Sequence, residues 1–175
     1  MPINDEPPRL DLPPDDSQLR LLKVGEEIRL FGTVYTMRDA GHQRCLDYLS
    51  EHGELPFGLA GQALFYAGPT PARAGRPFGA IGPTTAARMD GFAPQLYEAG
   101  IKLTLAKGKR SEAVAQACKK TGGVYLTTVG GAAALLGRHV LAARLIAWAD
   151  LGPEALYQLE LADFPAWVAI NGSER

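Results

Sequence analysis

Strand-like and helix-like segments alternate along most of this chain, and that alternation most constrains how it can fold. The first clear strand signal spans residues 27–35, where apolar side chains alternate with polar ones. Residues 40–52 then carry apolar side chains on one helical face. The alternation continues and predicts an α/β fold, with strands at 63–66, 78–81, 101–105 and 124–126 and helices over 85–99 and 112–120.

The two ends of the chain depart from this alternation. Residues 1–16 contain five prolines and five acidic residues, which predicts an extended arm with little structure before a single domain over 17–175. A short helix is expected after Gly130-Gly131. Strand-like runs at 140–148, 155–161 and 165–170 follow, so we expect a mixed, partly antiparallel sheet. The proline- and arginine-containing stretch 70–77 indicates a mobile loop.

Composition excludes several function classes. The 175 residues carry a net charge of −1, so no basic field indicates nucleic-acid binding. No apolar run approaches the roughly 20 residues that span a bilayer, and no secretory signal pattern is visible, so we expect a cytoplasmic protein. The two cysteines, Cys45 and Cys118, are too few to hold an iron–sulfur cluster, and we interpret them as small buried side chains.

The run Gly82–Asp90 combines a Gly-Pro turn, two adjacent threonines and an arginine. If a helix begins at the threonines, Thr84 and Arg88 lie one turn apart on the same face. A hydroxyl and a guanidinium at a positive helix N-terminus suit a small carboxylate. The alternative is structural: threonine is also a preferred N-cap residue, and Thr85 is the expected cap.

This run and several others resemble the beta subunit of class I fumarate hydratase, a family to which the two-subunit tartrate dehydratases are related. The resemblance covers roughly residues 18–172 of the chain. It implies a swivelling domain, a layered β/β/α arrangement. The runs that carry it are Thr33–His42, Tyr66–Pro69, Gly82–Asp90, Leu105–Ser111, Gly122–Leu126, Gly130–Ala133 and Asp163–Ala166.

The resemblance also implies roles for individual side chains. Thr84 matches the family's proposed acid/base, and Arg38 and Arg88 match residues that bind the substrate's carboxylates. Arginine suits this work because its planar fork meets a carboxylate with two parallel hydrogen bonds. Lys107 is interpreted as a third cation facing a dianion, rather than as part of a phosphate-binding loop. His42 and Arg110 are additional candidates for substrate contact.

Each of these candidates also has a plainer interpretation. Arg38 could form a local ion pair with Asp39, and Arg88 could be a solvent-exposed helix residue. His42 could be a half-exposed helix histidine near Asp39, rather than a group that orients Arg38 or donates to a substrate oxygen. The sequence pattern alone leaves these alternatives open.

The resemblance implies a hydro-lyase subunit that interconverts fumarate and L-malate. A separate alpha subunit would hold a 4Fe–4S cluster, and this chain would form the opposite wall of the active site in a hetero-oligomer such as a dimer of heterodimers. Tartrate dehydration is the second expectation within the class. A non-catalytic module that binds a small dicarboxylate is the alternative from a different class.

Overall fold

The computed structural model describes residues 6–72, 74–76 and 79–174. Within them, strands and helices alternate as predicted, and the α/β class with a mixed sheet is confirmed. The strands are β1 (Arg9–Leu12), β2 (Glu27–Thr36), β3 (Ala63–Phe65), β4 (Leu103–Ala106), β5 (Val124–Thr127), β6 (Val140–Ala147) and β7 (Leu156–Asn171). The helices are α1 (Asp16–Leu21), α2 (Asp39–His52), α3 (Ala93–Glu98), α4 (Glu112–Thr121) and α5 (Ala133–Leu136).

The sheet is parallel in its first part and antiparallel in its last. Strands β1 to β5 pair in parallel in that order, so the carboxyl ends of β2 to β5 lie at one edge. Strand β7 runs antiparallel and pairs with β2, β5 and β6. Because β7 joins β5 back to β2, the strands β2-β3-β4-β5-β7 close into a ring.

Alternating side chains of the parallel strands pack into two different cores. Phe65 of β3 points into the cluster inside the ring, whereas Leu64 points into the cluster beneath the helices. On β5, Leu126 and Tyr125 divide in the same way. Strands that are buried on both faces have nearly continuous apolar sequences, which explains why β3 to β5 are predominantly hydrophobic.

The N-terminal segment is more structured than predicted. Strand β1 pairs in parallel with β2, and both Leu10 and Leu12 are buried. Asp15 caps α1 in a reciprocal capping box with Gln18. The expectation of little structure is therefore wrong for residues 9–16, because two alternating leucines outweigh the polar composition around them. Residues 1–5 lie outside the described part of the chain.

Three local predictions need correction. The helix expected over 85–99 is divided into a 3₁₀ turn at Ala86–Met89 and helix α3, which begins at Phe92-Ala93 with Pro94 in its first turn. Residues 79–81 form no strand, and Phe78 lies outside the described residues, as do Arg73 and Pro77 of the predicted mobile loop. The two last predicted strands are one continuous strand, β7.

No described helix is long and apolar enough to cross a membrane.

Candidate functional site

The candidate residues follow the carboxyl ends of neighbouring parallel strands. Arg38 comes two residues after β2, Tyr66 directly follows β3, and Lys107 directly follows β4. Thr128 follows β5 and leads into Gly130. Ligands of open α/β sheets usually bind at this edge, where side chains from several strands meet. Tertiary structure thus brings together residues that are distant in the chain.

Thr84 is held by backbone hydrogen bonds across this edge. Its N–H donates to the carbonyl of Tyr66 at 2.6 Å, and its carbonyl accepts from the N–H of Lys107 at 3.2 Å. Bridges at Pro83 and Thr85 extend the pairing on both sides. The segment is therefore a short strand-like insertion between the ends of β3 and β4, and it fixes the backbone of Thr84 at this edge.

Thr85 does not cap a helix through its side chain. It occupies the residue before the 3₁₀ turn in an extended conformation, but its hydroxyl makes no capping hydrogen bond. The amide of Ala86, the first of the turn, donates instead to the carbonyl of Lys107 at 2.8 Å. The predicted helical relation between Thr84 and Arg88 is wrong for the same reason, since Thr84 belongs to the extended segment.

Arg38 lies at the N-cap position of α2 and pairs with a distant carboxylate. Its Nη2 is 3.4 Å from Oε1 of Glu154, whose other oxygen accepts from the N–H of Ala40 at 3.1 Å. Glu154 therefore caps the helix and holds the arginine at once. The local ion pair with Asp39 that the sequence left open is not formed.

Arg88 projects from the 3₁₀ turn towards the start of α2. Its Nη2 donates to Oδ2 of Asp39 at 2.7 Å, and about half of the side chain is exposed. This ion pair connects the 3₁₀ turn to the residue next to Arg38. Because exposed ion pairs contribute only about 0–1 kcal/mol, an incoming carboxylate can replace Asp39 at little cost.

Lys107 has no carboxylate partner within 4.0 Å among the residues that the structure describes. It is partly buried against the loop after β5, where a Cβ added at Gly130 would lie 3.2 Å from its Cδ. Gly108, with a φ of 85°, lets the chain turn sharply after the lysine. The ammonium group is thus placed at the edge without a neutralising charge.

His42 and Arg110 lie beneath the edge. His42 is fully buried, and its Nδ1 is 2.8 Å from the carbonyl oxygen of Arg38, so the half-exposed interpretation is wrong. Burial lowers the pKa of His42 to about 4, which keeps the imidazole neutral at physiological pH. The Arg110 side chain is also fully buried, with Nε 2.7 Å from Oδ1 of Asp90. As placed, neither side chain presents a donor to solvent.

Three carboxylates in this region carry no functional signal in the sequence. The sequence indicates Asp39 only as a local ion-pair partner, and it assigns no role to Asp90, the last residue of the Gly82–Asp90 run. Glu154 lies far along the chain in the connection between β6 and β7, and no sequence signal pointed to it. Its relation to Arg38 arises only when that connection packs on α2.

The cysteines do not fit the requirements of a cluster site. Cys45 and Cys118 are both buried and free. Burial raises the pKa of the Cys45 thiol to about 12, which opposes the thiolate that binds metal. Within residues 6–72, 74–76 and 79–174, no three His, Cys, Asp or Glu side chains group in a way that could hold a metal ion. The two buried thiols and the other described side chains therefore do not match the three or four thiolate ligands of an iron–sulfur cluster.

Taken together, the edge presents two guanidinium groups, one ammonium group and one hydroxyl. The guanidinium groups suit carboxylates, and the Lys107 ammonium, which has no carboxylate partner among the described residues, adds positive charge at the same edge. Such a set of cations can hold a small dianion.

Comparison with known proteins identifies the same family. The chain is 38% identical over 157 residues to the anaerobic class I fumarate hydratase of Escherichia coli, covering 89% of this chain and 29% of that protein. Fumarate hydratase 2 of Leishmania major is also 38% identical, with 88% and 28% coverage. The chain thus spans less than a third of these relatives' length.

A shorter relative matches over most of its own length. The L(+)-tartrate dehydratase subunit beta of Escherichia coli is 31% identical over 167 residues, which cover 93% of this chain and 82% of the subunit. The family described as Fumarase C-terminus matches residues 6–174. The chain therefore belongs to the Fumarase C-terminus family, whose relatives named here are hydro-lyases.

Proposed function

We propose that this chain is the beta subunit of a fumarate hydratase, which adds water reversibly across the double bond of fumarate to give L-malate. The observation that carries the proposal is the placement of Arg38, Arg88 and Lys107 at one sheet edge, around a threonine whose backbone is fixed on both sides. A cationic edge of this kind complements a four-carbon dicarboxylate.

In this proposal the two arginines hold the two carboxylates. Thr84 transfers the proton that leaves or joins carbon, while the hydroxyl of water joins the neighbouring carbon. Lys107 stabilises the negative charge that develops on the substrate and lowers the pKa of the threonine hydroxyl. Proton transfer by a positioned side chain contributes roughly 10²–10⁴-fold to a rate.

A partner chain is part of the proposal. Relatives named fumarate hydratase are more than three times as long as their match to this chain, and another relative is named as a subunit. We propose that an alpha subunit supplies the missing part and carries the 4Fe–4S cluster, which acts as a Lewis acid when bound. The assembly would be a cytoplasmic hetero-oligomer of the tricarboxylic acid cycle, with an active site between its chains.

Tartrate dehydration is the second candidate. The match to the tartrate dehydratase subunit favours it, since that match covers 93% of this chain and 82% of the subunit. The higher identity to fumarate hydratases supports the first candidate. A module that only binds a dicarboxylate would need the arginines, but it would not need the proton-transferring threonine proposed here.

The test is co-expression with a candidate cluster-bearing chain, followed by anaerobic assays on fumarate, L-malate and L-tartrate. Preferred turnover of fumarate and L-malate by the complex supports the proposal. Preferred turnover of tartrate selects the second candidate. A complex that binds dicarboxylates, measured by calorimetry, and turns over none of the three would identify a binding module.

A further inference from the structure

Four polar side chains form a continuous group beneath the candidate site, which we call the buried row: Asp90, Arg110, Tyr66 and His42. The Arg110 guanidinium, paired with Asp90, lies over the Tyr66 ring, with Cζ 5.2 Å from the ring centroid. The Tyr66 ring in turn meets the His42 ring edge-on at a centroid distance of 4.8 Å. The side chains of Arg110, Tyr66 and His42 are all fully buried.

Each member of the buried row is connected to a different residue of the site. The carbonyl of Tyr66 accepts from the N–H of Thr84 at 2.6 Å, and Nδ1 of His42 meets the carbonyl of Arg38 at 2.8 Å.

The remaining two members connect through the chain. Asp90 follows Arg88 by two residues, and Arg110 follows Lys107 by three. Asp90 also accepts from the N–H of Ser111 at 2.6 Å, which joins the 3₁₀ turn to the loop after β4.

The polar atoms within the row are chemically complementary. Nη2 of Arg110, the Tyr66 hydroxyl and Nε2 of His42 are buried without a hydrogen-bond partner among the described residues. Because Nδ1 of the neutral His42 donates to a carbonyl, its Nε2 is an acceptor. A tyrosine hydroxyl can donate to that nitrogen and accept from a guanidinium, so Tyr66 matches the groups on both of its sides.

We propose that the buried row positions the site: it holds the four site segments in register without touching substrate, and this reassigns His42 and Arg110 from substrate binding to positioning. The inference rests on the proposed function for its catalytic consequence. Its structural consequence does not depend on that function. Displacement of a reacting group by a small distance can cost about 10²-fold in rate, which makes such support valuable.

Tyr66→Phe tests the row, with Tyr97→Phe as the matched control. Tyr97 is equally buried, but its hydroxyl contacts Thr104 at 2.6 Å and donates to the carbonyl of Val124 at 2.8 Å, so its main partners lie on β4 and β5. It reaches the buried row only indirectly, because Oγ1 of Thr104 also accepts a long hydrogen bond from Nη1 of Arg110 at 3.4 Å. Because Tyr97 has formed hydrogen bonds to lose, its variant should have the larger drop in Tm. If Tyr66 only stabilised the fold, Tyr97→Phe would lower the activity more than Tyr66→Phe, because it lowers Tm more.

Hydrogen exchange of the chain alone is the first measurement. In Tyr66→Phe the amides of Thr84 and Lys107 should exchange at least ~5-fold faster than in the parent, while those of β5 stay unchanged. In Tyr97→Phe the amides of β5 should exchange faster, while those of Thr84 and Lys107 stay unchanged. In the complex with its partner, kcat/KM should fall about tenfold in Tyr66→Phe and less than twofold in the control. Asp90→Asn is measured in the same way if Tyr66→Phe does not fold.

The row's role is overturned if Tyr66→Phe leaves both the exchange of Thr84 and Lys107 and the value of kcat/KM at the parent level. It is also overturned if Tyr97→Phe loses as much activity as Tyr66→Phe. A parent complex that turns over none of the three dicarboxylates contradicts the proposed function instead, and hydrogen exchange then still decides whether the row positions these segments.

Discussion

At the scale of single residues, the cations of the site differ in how firmly they are held. Arg38 is three-quarters buried and faces Glu154, whereas Arg88 is half-exposed and faces Asp39. Lys107 has no carboxylate partner among the described residues. We infer that Arg38 is the fixed anchor for a substrate, while Arg88 exchanges Asp39 for a substrate carboxylate on binding.

Replacing Arg88 with lysine tests the need for a planar fork. The charge remains, but two parallel hydrogen bonds to a carboxylate become impossible. In the assembled enzyme we expect kcat/KM to fall at least ~10-fold, which corresponds to ~1.4 kcal/mol of lost transition-state binding. Arg44→Lys is the control, since Arg44 forms an exposed pair with Asp150 on the outer side of α2. Equal kinetics for the two variants would mean that Arg88 is an ordinary surface residue with no role in substrate binding.

Thr84→Ala should separate chemistry from binding. Deleting one hydroxyl leaves the backbone bonds to Tyr66 and Lys107 intact, so the fold and KM should change little. If the hydroxyl transfers the proton, kcat should fall by roughly 10²-fold. Thr85→Ala should retain most activity and most stability, because the Thr85 side chain makes no capping hydrogen bond. Loss of turnover only in Thr85→Ala would mean that the two threonines have been assigned in the wrong order.

Gly130→Ala should displace Lys107 without disturbing the fold. The added methyl group would lie 3.2 Å from Cδ and 3.8 Å from Nζ of Lys107, and the flexible side chain must move away. We expect kcat/KM to fall about tenfold with a Tm close to that of the parent. Gly91→Ala is the matched control, because a Cβ there meets nothing within 4 Å. Unchanged kinetics in Gly130→Ala would show that the position of the lysine is unimportant.

At the scale of elements, the β6–β7 connection holds the start of helix α2. Glu154 caps the helix and pairs with Arg38, and Asp150 pairs with Arg44 one turn further along. Gly41 allows this close packing, since a Cβ there would lie 3.3 Å from the carbonyl oxygen of Glu154. One connection thus determines where both the helix and its arginine lie.

Glu154→Ala should therefore affect stability and substrate binding together. Loss of the cap at Ala40 should cost about 1 kcal/mol in the free energy of unfolding, which is the usual effect of removing a helix N-cap. Arg38 loses its partner, and we expect KM to rise severalfold. Asp150→Ala, in the same connection, removes only an exposed pair and should leave KM unchanged. Denaturant unfolding and steady-state kinetics of both variants measure the difference.

At the scale of the whole molecule, the candidate site lies at one edge of the ring rather than in its apolar interior. Arg38 and Lys107 follow the ends of parallel strands, and Arg88 beside them is half-exposed. The chain spans less than a third of the length of its fumarate hydratase relatives. In the proposed two-subunit active site, a partner chain would cover this cationic edge.

The chain purified alone should be colourless, free of iron and inactive as a hydratase. The reason is its donor set, two buried thiols and no described group of three metal-binding side chains. Absorbance spectroscopy and iron analysis, followed by the fumarate assay, check this expectation. A brown, iron-containing and active preparation of the single chain would refute the two-subunit proposal.

The sequence by itself determined the order of elements and the family. Alternating apolar residues and glycine stops are local properties, so β2, α2, α4 and the final strands could be predicted, as could the family to which Arg38, Thr84, Arg88 and Lys107 are matched. The extended conformation of Thr84 and Thr85 could not, because the amides of Thr84 and Ala86 donate to Tyr66 and Lys107, which are distant in the chain.

Only the tertiary structure decided what surrounds the site residues. Glu154 reaches Arg38, and Asp39 reaches Arg88, through packing between segments that are far apart in the chain. Burial of His42 and Arg110 likewise depends on the helices closing over β3 and β4. Periodicity reports which face of an element is apolar, but it carries no information on which distant polar group meets that face, since this depends on the register and packing of the closed sheet.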